Sequence, residues 1–184
     1  LLFLGLFIVV YQTSTQQNQT TKAQALQNCN IPDSELALTS NEQEMLNGIN
    51  QYRQQQGVRP LNYSPALKRA AKWMANDLQQ KNQPMNLNTI DSLGRTLAQR
   101  LMDCGLSNRE YGEIFGLGTV QERLQGWISS SENQLLAAET FVYVGIAQTG
   151  EYWVVEFVET QVPTVIVPEI TNVPSPACLG ACPI

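Results

Sequence analysis

The chain has 184 residues, 43% of them hydrophobic, with no histidine and a net charge of −5 from 16 acidic and 11 basic side chains. This length fits one domain with appendages. The acidic balance lacks the basic field that nucleic acids require, and the absence of imidazole excludes Ser-His-Asp, Cys-His and His-based metal chemistry.

Residues 1–11 are apolar and uncharged apart from the phenol of Tyr11. The run is shorter than the roughly 20 residues that span a bilayer. It is read as the C-terminal part of a transmembrane anchor that begins upstream of Leu1. No small-residue cleavage pattern follows it at Tyr11-Gln12-Thr13-Ser14, which argues against a removed signal peptide. A buried N-terminal strand is the alternative. Tyr11 suits the membrane interface, and the first cation after the run is Lys22. The C-terminal flank therefore lacks the basic cluster of a cytoplasmic side, which puts the following domain on the extracytoplasmic side. Membrane lipid is the implied partner of residues 1–11.

Residues 12–40, rich in Gln, Thr and Ser, read as a polar linker to a domain at 41–159. Ser40 followed by Gln43 suggests a capping box. The helix it opens carries Met45, Leu46, Ile49 and Tyr52 at helical spacing and stops at Gly57. Pro60–Tyr63 is an extended connector. Ser64-Pro65 starts a second helix, with Leu67, Ala70, Ala71, Met74 and Leu78 on its apolar stripe, and Asn82-Gln83-Pro84 ends it. Lys68, Arg69 and Lys72 read as a solvated face of that helix. A third helix over about 94–103 shows Leu93, Leu97 and Leu101 at four-residue steps, closed by Gly105. A fourth over about 120–129 shows Val120, Leu124 and Trp127.

The period then changes to two. Phe141–Ala147 and Tyr152–Val158 alternate around Thr149-Gly150 and predict an antiparallel hairpin. Helices must cover its apolar faces, so the fold class is α+β. Residues 160–184 are Pro-rich, which excludes an interior strand or helix.

Cys29, Cys104, Cys178 and Cys182 make an even set behind an export-like segment and read as disulfides. Of the three possible pairings, a local Cys178–Cys182 bridge leaves Cys29 with Cys104. A four-cysteine metal site is the rival, with spacing too loose for it.

Several segments, in order, resemble one family. They are Leu46–Arg53, Leu61–Leu67, Ala70-Ala71 through Asp77, Tyr111-Gly112-Glu113-Ile114, Trp127–Ser131, Val144-Gly145-Ile146 and Tyr152-Trp153-Val154. Together they resemble the CAP superfamily, the SCP-domain fold of cysteine-rich secretory and pathogenesis-related proteins, over about residues 41–159. The resemblance implies an α-β-α sandwich with a small antiparallel sheet flanked by helices, here preceded by a transmembrane helix.

In that family a cavity holds two histidines and two acidic residues and can bind a divalent metal. Tyr111-Gly112-Glu113-Ile114 resembles the family's Gly-Glu-Asn-Ile, so Glu113 carries over, with Ile114 in place of the Asn. The first His position falls at Thr89 (or Asn88), the second at Asn133, and the second acid at Ser130. The remnant cavity is thus expected at Thr89, Glu113, Ser130 and Asn133. Neutral amides and hydroxyls are poor zinc ligands, so no metal, no cofactor and no catalytic residue is expected. Gly112, Gly116 and Gly118 do not make a phosphate loop, because no Gly-Lys-Ser/Thr follows. The expected function is a non-catalytic, membrane-anchored extracytoplasmic module. It would serve as a binding or structural accessory subunit contacting the protein subunits of a membrane complex. A lipid-binding protein and a divergent hydrolase are the alternatives.

Overall fold

The computed structural model describes residues 29–81, 90–106 and 110–159. The expected anchor at 1–11, the tail at 160–184 with its Cys178–Cys182 pair, and Asn88 and Thr89 lie outside the described residues. No described helix is long and apolar enough to cross a membrane.

Helix α1 spans Ser40–Gln55. Its cap is Thr39, one residue before the expected Ser40. The Thr39 hydroxyl accepts from the Glu42 amide, and the Glu42 carboxylate accepts from the Thr39 amide. A carboxylate at this position suits the positive end of the helix better than the Gln43 amide does. Strand β1 is only Asn62–Tyr63. Helix α2 spans Pro65–Lys81, with the Ser64 hydroxyl accepting from the Leu67 amide. Helix α3 is Leu97–Asp103, capped by Thr96 and Gln99. It starts three residues later than expected. Residues 91–94 form a turn instead, in which Asp91 accepts from the Leu93 and Arg95 amides and Gly94 adopts a φ of 75°. Strand β2, Tyr111–Leu117, was not expected. Helices α4 (Val120–Ile128) and α5 (Asn133–Leu136) follow, then β3 (Tyr143–Thr149) and β4 (Tyr152–Val158).

The sheet order is β1-β3-β4-β2. The hairpin β3–β4 and the β2–β4 pair are antiparallel, whereas β1 runs parallel to β3. The sheet is therefore mixed, not antiparallel throughout. The long excursion between β1 and β3 permits the parallel pairing.

Period-two alternation sorts β4 between two layers. Trp153, Val155 and Phe157 pack with Ile114, Val144 and Ile146 against α1, α4 and α5, through Met45, Ile49, Trp127 and Leu136. Tyr152 and Val154 pack with Ala147 against Ala71, Met74 and Leu78 of α2. Val158 meets Leu67, Ala70 and Leu101, which ties α3 to the second face. The result is helices on both sides of one sheet.

Helix α2 lies directly on β3 at Gly145. A Cβ there would come within 2.4 Å of the Leu67 carbonyl carbon and 2.5 Å of the Lys68 nitrogen. Both are backbone atoms and cannot rotate away. Gly145→Ala should therefore lower stability by about 1–3 kcal/mol, as overpacking does. Urea unfolding would check it, and an unchanged midpoint would contradict this contact.

Residues 29–40, expected as linker, pack on the domain. Ile31 is buried. Lys68 Nζ donates to Ala37 O, the Tyr63 hydroxyl donates to Leu36 O, and Arg69 pairs with Asp33. Burial, then the nearby Glu42 carboxylate, pushes the Tyr63 phenol up to about 12. Lys68 is the main departure from a solvated helix face: it is 1% exposed and pairs with Glu42, also 1% exposed, at 2.5 Å. A long cation beneath a packed segment reaches its counter-ion more cheaply than water.

Cys29 and Cys104 form a disulfide with a sequence separation of 75. It fastens the start of the packed segment to the end of α3. Replacing both cysteines with alanine should cost about 2–4 kcal/mol, mainly through the unfolded state. Peptide mapping without reduction should recover the Cys29–Cys104 peptide. A Cys29 link to Cys178 or Cys182 would contradict it.

Candidate functional site

Glu113 lies on β2 opposite Glu156 of β4 in the antiparallel register, and Glu156 lies opposite Gly145 of β3. All three are therefore on the face covered by α2 and α3. Gly145 provides no side chain, so this row holds two carboxyls beneath the helices. Arg100 of α3 reaches into it. Its Nη2 donates to Glu113 Oε1 at 2.5 Å and its Nη1 donates to Arg95 O at 3.3 Å. The Arg100 side chain is 1% exposed and that of Glu113 is 9% exposed.

A second ion pair backs the first. Arg95 Nε donates to Asp91 Oδ2 at 2.8 Å, and its Nη1 donates to Asp103 Oδ2 at 2.7 Å. Its guanidinium lies 4.3 Å from the centre of the Trp73 ring, a cation–π contact. Asp77, on α2, fixes the preceding turn by accepting from the Ser92 amide and hydroxyl.

The electrostatics follow from burial. Glu156 is fully buried; no N–H or hydroxyl donor among the described residues reaches its two oxygens, and the group it meets is the Glu113 carboxyl. Burial first, and the neighbouring Glu113 second, hold its carboxyl well above the usual range, against the opposing pull of Arg100. Burial also raises Glu113, with Arg100 opposing. Burial would lower Arg100, but Glu113 and Glu156 outweigh it and the net shift is upward. The arrangement is one buried ion pair beside one carboxyl that favours its neutral form.

The other expected site residues are elsewhere. Ser130 is exposed and its hydroxyl donates to Trp127 O at 3.1 Å. Asn133 donates to Ile128 O at 3.4 Å. Ser130 belongs to the α4–α5 connection and Asn133 opens α5. A Cβ on Gly112, whose side faces away from that of Glu113, would touch Leu135. Residues Ser130 and Asn133 thus lie with the opposite layer of the sandwich, and the structure does not bring them to Glu113. The residues that do meet Glu113, namely Arg100 and Glu156, were missed in the sequence. Glu156 had one signal: it is the sole charged residue in the apolar strand Tyr152–Val158.

A divalent metal of the kind the family's cavity can bind does not fit these residues. The Glu113 carboxylate already faces a guanidinium, which repels a cation. Among the described residues, no group of three or more Cys, Asp or Glu is placed to hold a metal ion.

A separate groove of about 420 Å³ opens between the starts of α1 and α4 and the β3–β4 turn, with Asn41, Glu44, Thr119, Glu122, Gln148 and Glu151 on its walls. Most of its polar groups bond one another. Glu122 caps its own helix, and hydrogen bonds from Thr119 hold it below the usual carboxylate range. Gln121 donates to Glu44, and Asn41 to Gln148.

The sequence profile of the cysteine-rich secretory protein family, CAP, matches residues 46–157. Among solved structures, an extracellular SCP-domain protein from Bacillus anthracis is similar, with 20% identity and a TM-score of 0.60 over 67% of this chain and 45% of that one. A cysteine-rich secretory protein from Staphylococcus aureus has 16% identity and a TM-score of 0.54, over 67% of this chain and 41% of that one. An outer surface protein from Borrelia burgdorferi has 19% identity and a TM-score of 0.57, over 68% of this chain and 97% of that one. The matched part thus spans less than half the length of the Bacillus and Staphylococcus proteins. No curated protein matches the chain.

Proposed function

Because the chain belongs to the CAP family of cysteine-rich secretory proteins, we propose that it acts outside the cytoplasm as a non-catalytic, membrane-anchored module, an accessory subunit of a larger membrane complex. One observation carries the non-catalytic part. The carboxylate that matches the family's acidic motif, Glu113, is neutralised by Arg100 from within the fold. A carboxylate committed to a buried guanidinium is neither a free base nor a free ligand. Hydrolysis would also need an activated nucleophile beside a base, and among the described residues no such pair adjoins Glu113.

The extracytoplasmic part is supported by the similar proteins, one described as extracellular and one as an outer surface protein, and by the Cys29–Cys104 disulfide, which suits an oxidising compartment. The apolar, uncharged run at 1–11 supports the anchor. Affinity capture of the full chain from detergent-solubilised membranes tests the proposal. Discrete proteins recovered in fixed ratio to the chain are expected. Recovery of the chain alone with stoichiometric lipid would favour a lipid carrier instead. Release of the intact chain from membranes by carbonate washing would refute the anchor.

A further inference from the structure

We propose that Glu156, Glu113 and Arg100 form a proton-dependent latch: one proton on the carboxyl pair keeps α3 seated on the sheet, and its loss to bulk water lets α3 lift. The geometry supplies each part. The two carboxyls are directly opposed across β2 and β4. One guanidinium, carried by α3, faces both, and of the two carboxyls it bonds Glu113. Among the described residues no N–H or hydroxyl reaches the oxygens of Glu156, whose hydrogen-bonding neighbour is the Glu113 carboxyl.

Among the described residues the surrounding elements offer no second cation. From the turn before α3, Asp91 adds negative charge while Arg95 is engaged by Asp91 and Asp103. From α2, the Leu67 backbone lies against Gly145, the residue opposite Glu156, while Lys68 is committed to Glu42, Arg69 to Asp33, Asp77 to Ser92 and Lys81 to Asp77. From β3, Gly145 has no side chain. Ionised Glu156 would thus leave two carboxylates against one guanidinium in a buried layer, which is unfavourable.

Helix α3 is the element able to yield. It spans seven residues, and its apolar seat is Leu101, with Leu97 alongside, against Leu67, Ala70 and Val158. The Cys29–Cys104 bridge holds its C-terminal end, so lifting pivots about that end.

The sign is fixed by linkage. Glu156 titrates higher in the fold than in the unfolded chain, where a glutamate titrates near 4.3. The closed state therefore holds the extra proton, and closure is favoured at acidic pH. As pH rises from the unfolded value toward the folded one, each unit multiplies the opening equilibrium by up to about tenfold.

Hydrogen–deuterium exchange on the full chain between about pH 5 and 8.5, corrected for intrinsic exchange chemistry, tests the latch. Amides of α3 and β2 should lose protection with rising pH, by up to about tenfold per unit, while those of α1 hold steady. Glu156→Gln keeps the shape and removes the proton, so it should flatten the slope at α3 and β2. An unchanged slope in that variant, or protection of α3 that rises with pH, would overturn the latch. The unmutated chain gives a second readout: a protonated carboxylic acid should persist in its infrared spectrum at neutral pH. Its absence would equally overturn the proposal.

Discussion

Arg100→Met should destabilise the domain by about 3–5 kcal/mol at neutral pH, the range for removing one partner of a buried ion pair. Methionine fills much of the same volume, so lost packing is a small part of the effect. What remains is Glu113, 9% exposed, without its cation and opposite Glu156, which is fully buried. Glu113 would then titrate higher than in the parent chain, because burial acts on it unopposed. A folded-state value raised above the unfolded one means that stability returns as pH falls. The variant should therefore recover part of its deficit toward pH 5, read as a rising urea midpoint. Adding Glu113→Leu should restore much of the loss, since an apolar pair can replace a buried ion pair at little cost. A deficit below about 1 kcal/mol, as for exposed pairs, would contradict the burial of this pair.

Lys68→Met should cost a similar 3–5 kcal/mol, for a different structural reason. Glu42 is a junction of three parts of the fold. Its Oε2 accepts from Lys68 Nζ of α2 at 2.5 Å and from the Thr39 amide at 2.7 Å, and its Oε1 accepts from the Gln148 amide of β3 at 3.0 Å. Lys68 also donates to Ala37 O at 2.6 Å. Removing the lysine leaves a buried carboxylate and frees the segment before α1. Limited proteolysis should then cleave between residues 30 and 40 faster than in the parent chain. Equal cleavage rates, with an unchanged urea midpoint, would contradict this role.

The parts of the fold that depend on periodicity were legible. The stripe Leu67, Ala70, Ala71, Met74 and Leu78 is buried on α2 as expected, and the hairpin around Thr149-Gly150 forms with Gly150 at a φ of 59°. Strand β2 was not legible. Its alternate positions Gly112 and Gly116 are too small to show an apolar period, because the opposite layer comes close there: a Cβ on Gly116 would sit 2.5 Å from Arg123 Cδ and 2.9 Å from Trp127. Glycine in a strand can mark such close approach.

The candidate site was half legible. Glu113 stood out by its resemblance to a family motif. Its partners did not, because pairing across a sheet joins residues 43 positions apart in sequence, Glu113 and Glu156, and no local pattern reports that. Lys68 and Arg53 are charges in helices that read as solvated by default. Arg53 is fully buried, donating to Arg59 O, Leu136 O, Ala138 O and Phe141 O. A buried Arg on carbonyls ties the α5–β3 connection to α1, which helix periodicity alone does not disclose.

The commitment of the Glu113 carboxylate to Arg100, and so its unavailability for metal or acid–base chemistry, is tested most directly by calorimetric titration of zinc into the full chain. The prediction is no site tighter than about micromolar, equivalent to about −8 kcal/mol, with the same trace for Glu113→Gln. A stoichiometric high-affinity zinc site that disappears in Glu113→Gln would contradict it.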